Sequence, residues 1–106
     1  MIVYSSISRK EFANLIGQLP AKIPSFSGRT FYYDINLQGD YIHLKRGSND
    51  AEVRIKLKEL HEAYCRLERI DTAMIRPYIT GRVYSPSCAL LVAMKLYHPD
   101  GRRTTL

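Results

Sequence analysis

The chain has 106 residues and a mass of 12.2 kDa, with 45% apolar and 25% charged side chains. For that size, area scaling gives about 6,000 Å² folded against about 17,700 Å² unfolded, enough for one core and too little for a separate cofactor domain. The composition excludes collagen-like, low-complexity and globally disordered classes, and one compact domain over residues 1–106 is expected.

The first element begins at Ser8, where Ser8-Arg9-Lys10-Glu11 fits a capping box, with Ile7 and Phe12 placed to staple its two sides. Phe12, Leu15, Ile16 and Leu19 recur at helical spacing until Pro20 ends the run, which predicts a short amphipathic helix over residues 9–18. Residues 20–29 (PAKIPSFSGR) read as a linking loop pinned to the core by Ile23 and Phe26.

From Thr30 the period changes to two, with Phe31, Tyr33, Ile35 and Leu37 on one side and Tyr32, Asp34 and Asn36 on the other. A turn at Gln38-Gly39-Asp40 leads to Tyr41–Arg46. There Ile42 and Leu44 alternate with Tyr41, His43 and Lys45. Gly47-Ser48-Asn49-Asp50 makes a second turn, and Val53, Ile55 and Leu57 then alternate with Arg54, Lys56 and Lys58. The three runs predict an antiparallel meander with one apolar and one polar face.

Helical spacing returns over Lys58–Ile70, where Leu60, Ala63, Tyr64, Leu67 and Ile70 share a face and Glu62 and Arg66 stand four apart in the favourable order. Ser85-Pro86 predicts another helix start, capped by the Ser85 hydroxyl, running to Tyr97. That last helix is apolar almost all round. It belongs either at the centre of the core or against a partner, so a homodimer or a protein partner through residues 86–97 is a second expectation. Residues 102–106 are expected to form a frayed basic tail. The fold class predicted is α+β: a three-stranded antiparallel meander packed with helices, in the order α-β-β-β-α plus a buried carboxy-terminal helix.

Cys65 and Cys88 stand alone in helical segments and read as small core hydrophobes of a reducing compartment. The amino terminus has no basic region ahead of an apolar stretch. The longest apolar run, Cys88–Met94, is far shorter than a membrane span, so a cytoplasmic protein without membrane contact is expected.

The formal net charge is +6 at pH 7, with a pI near 9.5, and such a field attracts polyanions. Half of that excess falls within residues 41–58, which carry five basic and two acidic side chains. The same stretch supplies most of the polar face of the meander, where the alternation gathers Tyr32, Tyr41, His43, Lys45, Arg54 and Lys56. Aromatic rings that stack bases and cations that meet phosphates are what a nucleic-acid-binding sheet needs. Arg102 and Arg103 extend the basic surface as an auxiliary tail. The start of the last helix, with Ser85, Ser87 and Arg82, offers a smaller anion site.

Signals for an enzyme are thin. His43, His61 and His98 are scattered, no His or Cys pair has metal-ligand spacing, and Gly39, Gly47 and Gly81 are isolated turn glycines rather than a phosphate loop. No cofactor, metal or catalytic residue is expected. The leading expectation is a small non-enzymatic nucleic-acid-binding module. A protein-protein adaptor acting through the apolar carboxy-terminal helix comes second, and a metal-independent ribonuclease built on His43, Lys45, Arg54 and Tyr41 third.

Overall fold

In a computed structural model, which describes residues 6–104, the elements are α1 (Arg9–Gly17), β1 (Lys22–Pro24), β2 (Phe31–Gln38), β3 (Tyr41–Arg46), β4 (Glu52–Lys56), α2 (Leu57–Arg66), a 3₁₀ turn (Arg76–Tyr78) and α3 (Tyr84–Ala93). The class is α+β, but the sheet has four antiparallel strands in the order β1-β2-β3-β4 rather than three. The additional strand lies inside the stretch read as a loop, and at three residues it is too short to show a period. What builds it is tertiary: Ile23 is buried opposite Tyr32, and the Ser25 amide donates to the Thr30 carbonyl at 2.9 Å.

Helix α1 is capped as its sequence predicts. The Glu11 amide donates to Ser8 Oγ at 3.2 Å, and the Ser8 hydroxyl donates back to the Glu11 carboxylate at 3.4 Å. Phe12 and Ile16 point from it into the core. The segment before it is held to α2 at both polar atoms of one residue, since the Ile7 amide donates to Tyr64 Oη at 3.1 Å and His61 Nε2 lies 3.0 Å from the Ile7 carbonyl. A carbonyl can only accept, so Nε2 carries the proton and His61 acts as a clasp.

Strand β2 departs from regular alternation. Tyr32 pairs with Arg46 and Tyr33 with Lys45, then the register shifts and Asn36 pairs with His43, so that Asp34 and Ile35 together face Leu44. This is a β-bulge, and Asp34 takes the left-handed conformation at φ 55 that its first residue requires. One extra residue reverses the facing of everything before it. Tyr32 is therefore core, 1% exposed, while Phe31 and Tyr33 lie on the polar side, the reverse of the uninterrupted alternation.

Helix α2 follows β4 without a loop, and its Leu57 amide donates to the Asp40 carbonyl at 2.9 Å. Leu57, Leu60, Ala63 and Tyr64 are buried, and Glu62 pairs with Arg66 at 2.9 Å. Helix α3 starts earlier than Ser85 would cap it. Val83 occupies the cap position with no side-chain bond, and Pro86 sits within the first turn, where its missing amide costs nothing. The Ser87 hydroxyl donates to the Val83 carbonyl at 2.6 Å and is fully buried, so the anion site expected at this helix start lacks one of its donors.

Residues Pro86 to Leu91 are all buried. One cluster joins α3 residues Cys88, Ala89, Leu90 and Leu91 to Phe12, Ile23, Tyr32, Ile42, Ile55, Leu60 and Tyr64. Pro86 to Leu91 are thus covered by the protein's own chain, while Tyr84, Val92 and Ala93 stay half-buried. Among the described residues no helix is long and apolar enough to cross a membrane.

The expected frayed tail is corrected as far as Thr104. Arg69 bridges to Arg102 and Tyr97 to Arg103, and Thr104 donates through its amide and its hydroxyl to the Leu96 carbonyl. Residues 105–106 of that expected tail lie outside the described residues.

Candidate nucleic-acid interface

The helices share the core face of the sheet, and among the described residues no helix covers the opposite face. Cross-strand pairing arranges that face in three rows. In the first, Lys22, Tyr33, Lys45 and Glu52 follow one another across β1 to β4. The second runs Asn36, His43, Arg54, and the third Gln38, Tyr41, Lys56. All of these side chains are exposed or half-buried.

Five of the six residues expected on this face are on it: Tyr41, His43, Lys45, Arg54 and Lys56. Tyr32 is not, because the bulge turns it inward to pack with Ile23. Its neighbour Tyr33 takes the outward place. A signal for this exists in the sequence: Asp is depleted inside strands but tolerates the left-handed backbone of a bulge, so Asp34 marks where the period breaks.

The rows differ in charge balance. In the first, Lys45 Nζ lies 3.7 Å from the Asp34 carboxylate and directly opposite Glu52, while Tyr33 Oη donates to Asp50. That hydrogen bond to an anion raises the Tyr33 pKa, with smaller contributions from desolvation and the charge of Asp50. The other two rows contain a cation each and no acidic side chain. Among the described residues neither Arg54 nor Lys56 forms an ion pair.

The Arg54 guanidinium lies over the Tyr41 ring at 5.2 Å from its centroid, and the Tyr41 and His43 rings meet edge-on at 6.5 Å. Regular alternation of β3 and β4 puts these side chains together, and Arg54 stays exposed beside the ring. Beside them Asn36 Nδ2 donates to the Asp34 carbonyl at 3.0 Å, and Gln38 Nε2 to Asn36 Oδ1 at 2.7 Å. The bulge leaves a shallow polar hollow here, lined by Asp34, Asn36, Gln38, His43, Lys45 and Glu52.

Arg102 and Arg103 do not join this face. Arg102 pairs with Asp100 at 2.8 Å, and Arg103 is folded onto Tyr64 and Tyr97. Among the described residues no three His, Cys, Asp or Glu side chains come together as a metal site. No protein-family model, curated protein or solved structure matches the chain.

Proposed function

We propose that the protein is a small, non-enzymatic nucleic-acid-binding module that engages its ligand across the uncovered sheet face. The observation that carries this reading is the Arg54-Tyr41-His43-Lys56 group, two cations interleaved with two aromatic rings on a rigid sheet. Rings of this kind stack bases irrespective of sequence, and the cations meet backbone phosphates. Lys45 contributes less, because the Asp34 carboxylate lies 3.7 Å from its Nζ and Glu52 is its cross-strand neighbour.

The test is fluorescence anisotropy against labelled single- and double-stranded DNA and RNA over a range of salt. Log affinity is expected to fall linearly with log salt. Arg54→Ala and Lys56→Ala together should reduce the slope on a single strand by about 1.4, about 0.7 for each phosphate that is no longer neutralised. Tyr41→Ala should weaken binding by about 1–3 kcal/mol with the slope unchanged. Absence of binding at about 50 mM salt, or binding indifferent to all three substitutions, overturns the reading.

One observation favours a second reading, a metal-independent ribonuclease: His43 shares the polar hollow with Glu52 and Lys45. In that chemistry one of His43 and Glu52 takes the proton of a 2′-hydroxyl, the 2′-oxygen attacks phosphorus, and the departing 5′-oxygen is protonated by the other. The products are a 2′,3′-cyclic phosphate and a 5′-hydroxyl. Incubating RNA and 2′-O-methyl RNA with the protein separates the readings, since a pure binder leaves both intact and a ribonuclease cleaves only the first.

A further inference from the structure

At the β1 edge of the sheet a cleft of about 510 Å³ runs between the loop that carries β1 and the carboxy-terminal end of α3. That is a volume typical of small-molecule sites. Pro20, Phe26, Val92 and Ala93 form apolar walls, Lys22 and Lys95 line the cleft as well, and no acidic side chain lines it.

The cleft is preformed. Its loop is closed by the Ser25 amide on the Thr30 carbonyl, the Gly28 amide on the Ser25 carbonyl at 3.0 Å and the Thr30 amide on Ser25 Oγ at 3.2 Å. Its far wall ends in a Schellman termination: the Lys95 amide donates to the Val92 carbonyl at 2.9 Å and the Leu96 amide to the Leu91 carbonyl at 3.2 Å. Lys95 occupies the left-handed position of that motif at φ 66, where glycine is the residue under least strain. A cation is therefore held beside the cleft against the local backbone preference.

The sheet edge bordering the cleft does not suit an added peptide strand. Strand β1 has three residues and ends in Pro24, which has no amide to give, and short proline-bearing edges are how sheets avoid such pairing. We propose that the cleft instead binds a single-chain amphiphile, an apolar chain along Phe26, Val92 and Ala93 with an anionic head group between Lys22 and Lys95. The Lys22 ammonium rests 4.9 Å from the Phe31 ring centroid, a weak contact that a bound carboxylate replaces with a charge pair. The cleft shares Lys22 with the first row of the open sheet face, whereas Lys95, Val92 and Ala93 belong to the cleft alone, and the proposal does not rest on the nucleic-acid reading.

The probe is sodium decanoate, titrated below its micelle concentration into ¹⁵N-labelled protein, with 1-decanol and decyltrimethylammonium as controls. Saturable shifts confined to the loop of residues 20–28 and to Val92, Ala93 and Lys95 are expected, with decanoate the tightest of the three. Lys22→Gln and Lys95→Gly should each weaken decanoate by about two- to fivefold, the range of an exposed ion pair. Ala93→Trp should fill the cleft and abolish the shifts. Lys95→Gly is the safeguard against a folding artefact, since it relieves the backbone while removing the charge. The proposal is overturned by equal affinity for decanol, by shifts spread over the whole surface, by no binding, or by cleft shifts that follow protein concentration alone and so report a second copy as occupant.

Discussion

The Arg103 guanidinium lies over the Tyr64 ring, its Cζ 4.4 Å from the centroid, and from there it donates to the Tyr64 carbonyl, to the Leu67 carbonyl at 3.2 Å and to Tyr97 Oη at 3.0 Å. Those carbonyls are at the carboxy-terminal end of α2, where partial negative charge collects and no further turn supplies donors. Tyr97 Oη donates to the same Leu67 carbonyl at 2.5 Å. Arg103→Ala therefore removes several charge-assisted hydrogen bonds at once, and a loss of about 2–3 kcal/mol is expected from urea unfolding. Arg103→Lys should recover less than half of it, because an ammonium lacks the planar fork.

The bulge in β2 makes adjacent tyrosines unequal. Tyr32→Ala empties a core site and should cost about 3–5 kcal/mol, as other buried aromatic truncations do. Tyr33→Ala removes a half-buried ring on the open face and should cost under about 1 kcal/mol. Equal losses in chemical denaturation would contradict the register described for β2.

Lys95→Gly should make the protein more stable by about 1 kcal/mol, since glycine adopts the left-handed conformation without the clash of a Cβ. The comparison to make is the unfolding midpoint at matched pH. A loss of stability would mean that the Lys95 side chain supports the fold rather than the cleft.

Alkali should destabilise the protein in two stages. Burial, with a smaller contribution from Asp71, pushes the Cys88 thiol from 9.0 up to about 12, and burial pushes Tyr97 from 10.0 up to about 12 although Arg103 opposes it. Both groups stay protonated in the folded state after the unfolded chain has lost those protons, so the unfolded state binds fewer protons and stability falls as pH rises. It is intact below pH 9, declines first through Cys88 and above pH 10 through Tyr97 as well, the latter by about 2–3 kcal/mol by pH 12. Unfolding measured from pH 7 to 11 checks this. Cys88→Ala should delay the onset and Tyr97→Phe should flatten the later part, whereas a flat profile in the parent protein would refute the assignment.

Much of the open sheet face is legible in the sequence because β3 and β4 alternate without interruption, which assigns Tyr41, His43, Lys45, Arg54 and Lys56 to one side without knowledge of the pairing. Tyr32 escapes a reading by alternation alone: one inserted residue at Asp34 reverses the facing of what precedes it, and only the bulge-tolerant Asp34 marks the break. Charge along the chain locates the basic stretch correctly but not its balance. Which cations have acidic neighbours depends on Asp34 and Glu52 lying beside Lys45, a matter of register.

Local sequence dictates what depends on neighbours a few residues apart: the Ser8 cap of α1, the alternating meander, the Glu62–Arg66 pair and the need to enclose α3. Long-range packing settles the rest. It recruits β1 into the sheet through Ile23, turns Tyr32 inward, buries Pro86 to Leu91 of α3, and draws Arg103 from an expected tail onto the end of α2. The reason is that these outcomes rest on contacts between residues far apart in sequence, whose burial and hydrogen-bond energies exceed the local preferences that a pattern of residue types records.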